Sequence, residues 1–142
     1  MQIYSEKLVN MTNALIINSN RKALLIRNIK NGSTRWEFPG GKRKKGEGLV
    51  KCVCRELKEE LDVEIEIQNV FGDYKTQTPE GNFLCRTYHA NIIKGRPKIM
   101  EPEKHDEFRY LKFWDLEVLR DMKILVPNLV SMMPELDPWL DY

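Results

Sequence analysis

Residues Gly41 to Val63 read GKRKKGEGLVKCVCRELKEELDV. A basic, glycine-punctuated stretch comes first, and from Glu47 to Leu61 the apolar residues Leu49, Val50, Val53, Cys54, Leu57 and Leu61 recur three and four positions apart. That spacing predicts a loop followed by a helix with one buried stripe. Glu56, Glu59 and Glu60 stand at i, i+3 and i+4, which confines them to a sector of about 100° on one face. The same geometry sets that face opposite the Val50, Val53, Leu57 stripe. The three acids occupy the last turns, where the helix dipole is negative and a basic residue is favoured by about 0.3–1 kcal/mol. Their placement works against the helix. A divalent cation removes the repulsion, and an all-oxygen donor set suits Mg²⁺ or Mn²⁺. On spacing alone, a solvated acidic face braced by Arg55–Glu59 and Lys58–Asp62 pairs accounts for the pattern as well.

On the N-terminal side, Asn13 to Ile17 and Lys22 to Arg27 are apolar runs separated by Asn18, Ser19 and Asn20, which predicts a β-hairpin. Asn28 to Arg35 reads as a loop, and Trp36 to Phe38 as a short extended piece stopped by Pro39-Gly40-Gly41. On the C-terminal side, Val63 to Thr78 and Phe83 to Lys94 predict a second hairpin turning at residues 79–82. Phe108 to Trp114 is a strand, with Trp114 expected in the core. Asp115 caps a short helix from Leu116 to Met122, and Pro127 opens a last helix reaching about Met133. Strands around one central helix and before a C-terminal one give an α/β or α+β class.

The 142 residues, 42% hydrophobic with 8 Gly and 7 Pro, suit one ordinary globular domain over residues 1–142. A net charge of +2 excludes a strong global field toward nucleic acid or membrane, so any basic patch is local. No run approaches the roughly 20 apolar residues of a membrane span, and residues 1–10 mix charged and polar groups where a signal peptide needs an apolar run. A cytoplasmic location is expected. Cys52 and Cys54 diverge on a helix and Cys85 falls in a strand, which favours packing thiols over a disulfide or a metal pair.

Taken as a string, the segment runs Gly41, five residues, Glu47, seven residues, Arg55-Glu56, Leu57, one residue, Glu59-Glu60, one residue, Asp62, Val63. This resembles the Nudix box, departing only where the family has Gly and this chain has Asp62. An Asp tolerates the left-handed conformation better than most residues. The preceding WEFPGG, Trp36 to Gly41, resembles the entry to the box. The resemblance implies an α/β/α sandwich with a mixed sheet and a loop-helix-loop motif over residues 41–63. It also implies Mg²⁺- or Mn²⁺-assisted attack of water on a nucleoside diphosphate linkage. Carried over by position, the catalytic set is Glu56, Glu59 and Glu60 as metal-binding acids, with Arg55 and Glu47 orienting the box. Gly40, Gly41, Lys42 and Arg43, at the head of the basic run Lys42 to Lys45, are candidates to meet substrate phosphates.

Glu101 to Leu116, EPEKHDEFRYLKFWDL, is similar to the tail of MutT-type nucleoside triphosphate pyrophosphatases. On that similarity Glu101 or Glu103 supplies a further metal ligand or base, and Glu103 joins the metal set. His89 and His105 read as packed or solvated histidines. The expected activity is hydrolysis of a nucleoside triphosphate to monophosphate and pyrophosphate. ADP-ribose or dinucleoside polyphosphate hydrolysis and a non-catalytic nucleotide-binding module are the alternatives, and mRNA decapping is disfavoured by the small net charge. The expected partner is a small nucleotide, with no stable nucleic-acid partner, no membrane, and a monomeric or homodimeric state.

Overall fold

The computed structural model describes residues 2–78 and 80–142; Pro79 of the predicted turn lies outside them. In chain order the elements are β1 (Met11–Leu15), β2 (Ala23–Lys30), β3 (Ser33–Glu37), β4 (Gly40–Lys42), α1 (Leu49–Leu61), β5 (Glu64–Thr78), β6 (Gly81–Lys94), β7 (His105–Leu111), α2 (Phe113–Asp121) and α3 (Pro127–Leu136). One sheet has the order β4-β1-β6-β5 and the other β3-β2-β7. The first is mixed, because β1 runs parallel to β6 and antiparallel to β4. The second is antiparallel throughout.

Strand alternation feeds two cores. Ala14, Leu24 and Ile26 pack toward Val53, Leu57 and Leu61 of α1. Their neighbours Leu15 and Leu25 point the other way, toward Leu129, Met132 and Leu136 of α3. A period-two strand between two helices buries both of its faces, and the result is the expected α/β/α sandwich.

Several local readings are corrected. The turn after β1 forms, with Asn18 N–H donating to the Lys22 carbonyl at 2.9 Å and Asn18 Oδ1 accepting from Asn20 and Lys22, each at 3.0 Å. Beyond an isolated Ile17–Ala23 bridge, however, β1 and β2 enter different sheets, because β4 and β6 occupy both edges of β1. Residues 28–35, read as a loop, belong to the β2–β3 hairpin, in which Asn31 and Gly32 connect paired Lys30 and Ser33. Their φ values of 51° and 77° are those of a two-residue type I′ turn, which Asn-Gly supplies without strain. Gly40 and Gly41, read as a strand stop, form β4 themselves.

The strand expected over 108–114 is β7, set three residues earlier. Trp114 lies in the first turn of α2 and is 51% exposed, so it is not core. Asp115 serves α2 from inside its first turn, accepting the Lys112 N–H at 3.1 Å, and is not the N-cap. Val50 is 48% exposed; the buried stripe of α1 is Leu49, Cys52, Val53, Leu57, Glu60 and Leu61. Asp62 ends α1 with φ 56° and ψ 42°, so the box departure stands at a left-handed position. The Lys58 ammonium is 2.7 Å from its carboxylate.

Gly40 fixes β4 against β1. A Cβ there meets the Thr12 carbonyl oxygen at 2.1 Å and Asn13 Cα at 2.5 Å, a clash with backbone that no rotamer relieves. Gly40→Ala is therefore expected to cost at least the 1–3 kcal/mol typical of overpacking, read as a lower denaturant midpoint.

Candidate active site

The site is built where β4 passes beside α1. At Gly41 an added Cβ falls 2.5 Å from the Glu56 carboxyl carbon, so glycine lets that carboxylate lie against the strand. One residue back, the Gly40 N–H donates to Glu60 Oε2 at 3.0 Å. Glu60 is only 3% exposed, which corrects its placement on an open acidic face. It shares the buried stripe with Val53 and Leu57 because seven residues is nearly two helical turns.

Around Glu60 the sheet contributes polar groups: Glu37 and Asn28, to which the sequence reading gave no role, and His105, read as a packed or solvated histidine and here packed. Glu37 ends β3 and accepts a hydrogen bond from Asn28 Nδ2 at 3.0 Å. His105 opens β7, buried, with Nε2 at 3.9 Å from Oε1 of both Glu37 and Glu60. Its Nδ1 is buried with no hydrogen-bond partner among the described residues. Burial pushes the His105 imidazolium downward, favouring the neutral ring. Burial also pushes Glu37 up to about 7. Glu60 moves well above the carboxylate range, first through burial and then through the charges of Glu37 and Glu56. Glu56 moves up as well, burial outweighing the nearby Arg55. Three acids thus share a poorly hydrated volume.

Arg55 organises the exposed side. Its Nε and Nη2 donate to the two carboxylate oxygens of Glu47 at 2.7 and 3.0 Å, and Nη1 donates to Glu56 at 3.0 Å and to Glu59 at 3.1 Å. Nη2 also reaches the Lys42 carbonyl at 3.1 Å, tying the loop to the helix. The planar fork meets a carboxylate bidentately, which a lysine cannot reproduce. Hydrogen bonding to Arg55 holds Glu47 down at about 2. Glu59 remains 46% exposed.

Of the candidate phosphate groups, Lys42 lies 5.0 Å from the Phe83 ring centroid. Arg43 donates to the carbonyls of Glu47 at 2.6 Å, Glu6 at 3.0 Å and Val9 at 3.2 Å, so its guanidinium fastens the N-terminal segment to the loop. Glu103 is exposed, and it is the charge of Glu101 that acts on Glu56 and Glu60. All three cysteines are free. Cys52 lies behind β4, accepting the Thr12 hydroxyl at 3.1 Å.

Among the described residues no three His, Cys, Asp or Glu side chains already close around one point. The donor chemistry nevertheless fits a hard divalent cation: carboxylate oxygens in excess, two of them pushed toward protonation by burial and by one another.

The NUDIX domain model matches residues 8–136, and the chain belongs to the NUDIX domain family. The m7GpppN-mRNA hydrolase of Saccharomyces cerevisiae is 28% identical over 144 residues, 95% of this chain and 14% of that protein. An 8-oxo-dGTP diphosphatase of Buchnera aphidicola is 38% identical over 66 residues, 46% of this chain and 53% of that one. The chain therefore spans about half the length of one relative and a small part of the other. A MutT protein from Methanosarcina mazei superposes with a TM-score of 0.76 at 20% identity, covering 92% of this chain and 93% of that one, a likeness of fold.

Glu37 was visible inside WEFPGG but was given no role, while the packing of His105 was among the readings made. Asn28 and His105 depend on which strands lie side by side.

Glu37 gives the site a pH signature. Its folded-state pKa of about 7 exceeds the ordinary 4.5, so across that window the folded chain binds more protons than the unfolded one, and stability falls as pH rises. In metal-free protein, Glu37→Gln is expected to melt above wild type at about pH 8 and to converge with it below pH 4.5, where Glu37 is protonated in the folded and unfolded chain alike. A thermal melt series across pH checks this.

Proposed function

We propose that the chain, over residues 1–142, is a metal-dependent Nudix hydrolase that cleaves the pyrophosphate linkage of a nucleoside triphosphate, releasing the monophosphate and pyrophosphate. The observation that carries the reading is the seating of Glu56 and Glu60 against Gly41 and the Gly40 N–H, with Arg55 bridging Glu56, Glu59 and Glu47. Glu56, Glu59 and Glu60 would hold the cation, with Glu101 or Glu103 approaching from the segment before β7. When bound, Mg²⁺ or Mn²⁺ neutralises phosphate charge and raises the nucleophilicity of water.

The chain's own residues set the geometry. Arg55 orients Glu56 and Glu59 while Glu47 anchors the guanidinium in turn. The β4 backbone offers the approach for phosphate at Gly40 and Gly41, and Lys42 adds positive charge at the mouth. Glu60, poorly hydrated and next to Glu37 and His105, is suited to hold or release a proton from attacking water. A nucleotide-binding module without activity has no need for this arrangement of acids.

A second reading, hydrolysis at the capped 5′ end of an RNA, is favoured by likeness to the yeast m7GpppN-mRNA hydrolase along 95% of this chain. ADP-ribose and dinucleoside polyphosphates are served by the same chemistry. The test is product identification with Mg²⁺ against canonical and oxidised nucleoside triphosphates, ADP-ribose, dinucleoside polyphosphates and capped RNA. Monophosphate plus pyrophosphate from a triphosphate is expected, with kcat lowered at least roughly tenfold in Glu59→Gln and further in Glu60→Gln. Turnover unaffected in both variants would remove the acids from the mechanism.

A further inference from the structure

Two surface grooves lie outside the acid site. One, of about 470 Å³, is lined by Trp36, Leu111 and Trp114 and by Arg27, Arg109, Glu107 and Asp115. Its charges cancel internally: Arg109 lies 2.8 Å from Glu107, and Arg27 2.7 Å from Asp106. The other, of about 460 Å³, differs in kind. Arg35, Arg120 and Lys123 rim it, Leu125, Pro127 and Val130 floor it, and among the described residues none of its lining side chains is a carboxylate. Among the described residues Arg120 pairs only with its neighbour Asp121, at 3.1 Å, and that carboxylate is 72% exposed. Arg35 and Lys123 are exposed and form no ion pair among the described residues.

These cations are held in place by the backbone. Residues 124–126 run beside β3, with Trp36 N–H donating to the Ile124 carbonyl at 2.7 Å and Val126 N–H to the Trp36 carbonyl at 3.1 Å. Lys123, with φ 62°, occupies the left-handed region that few lysines adopt, and its N–H donates to the Arg120 carbonyl at 2.9 Å. The groove also adjoins the acid site. Arg35 precedes Glu37 by two residues on β3, so both side chains leave the same face of the strand, and the Arg35 charge acts on Glu37.

We propose that this groove binds the phosphodiester backbone of a single-stranded nucleic acid. Two guanidinium forks and an ammonium suit phosphate oxygens, while the apolar floor offers a surface to sugars and bases that free phosphate does not use. A small net charge of +2 is no obstacle, because three cations line this groove with no carboxylate among its lining residues. The inference goes beyond the hydrolytic reading, since the groove binds such a chain whether or not the acid site cuts it.

The test needs no turnover. Fluorescence anisotropy with a labelled 5′-hydroxyl oligouridylate of about ten nucleotides measures affinity across a salt series. Three phosphate contacts on a single strand predict a log–log salt slope of about −2. Arg35→Gln and Lys123→Gln are each expected to reduce the slope by about 0.7 and to weaken binding several-fold at low salt. Thermal midpoints should be unchanged, because neither side chain holds the fold. Lys51→Gln, which removes one exposed charge from α1, should leave the slope alone. Equal loss in Lys51→Gln, unaltered binding in both groove variants, or equally effective displacement by a poly-glutamate peptide would overturn the proposal. The last result would assign the groove to an acidic protein segment.

Discussion

The contact on which the site depends is the guanidinium of Arg55 among Glu47, Glu56 and Glu59. A helix that places three acids in its last two turns repels itself and opposes its own dipole. Here one planar cation meets three carboxylates and a loop carbonyl, with Nε to Glu47 at 2.7 Å as its shortest bond. This holds the loop over residues 42–47 to the helix and leaves Glu56 facing the β4 backbone. Among the described residues Glu60 forms no hydrogen bond or ion pair with Arg55. It is stabilised by one backbone N–H and the packing around it, and it lies beside two further acids. The site is therefore neutralised on its exposed side and left with crowded carboxyl groups on its buried side, pushed toward protonation by burial and by one another, where a cation gains most.

The fold shows how such an asymmetry is positioned. β1 is paired on both edges, by β4 and by β6, so the glycine strand that receives the acids is fastened to the centre of the mixed sheet. The other sheet supplies Glu37, Asn28 and His105 from three separate strands, each side chain on the α1 face by strand alternation. The buried wall of the site is thus a product of sheet pairing, and its exposed wall a product of one contiguous segment.

That division explains what could be read in the sequence. The loop, the helix, the β5–β6 hairpin and the acids Glu56, Glu59 and Glu60 are encoded locally, by periodicity and motif. The left-handed residue at Asp62 was also legible, because φ preference is a property of one residue. What went astray depended on longer range. The β1–β2 hairpin has the right turn but loses its pairing to competing strands, which turn chemistry cannot reveal. The burial of Glu60 was hidden because a carboxylate on an apolar stripe reads as a solvated neighbour until its partner, the Gly40 N–H, is known. The Asn31-Gly32 turn was a missed local signal, since Asn-Gly between extended runs is the strongest short hairpin cue.

The central claim is that the crowding of carboxyl groups around Glu56 and Glu60 makes a cation site within the fold, independent of substrate. It is tested most directly by the thermal midpoint of the substrate-free protein titrated with Mn²⁺ at about pH 8, for wild type, Glu56→Gln and Glu60→Gln. Binding to the folded state alone raises stability by RT ln(1 + [L]/Kd). The account predicts a midpoint that climbs with Mn²⁺ in wild type, with the climb sharply reduced in both variants. A midpoint indifferent to Mn²⁺ in wild type, or climbing equally in all three proteins, would contradict it.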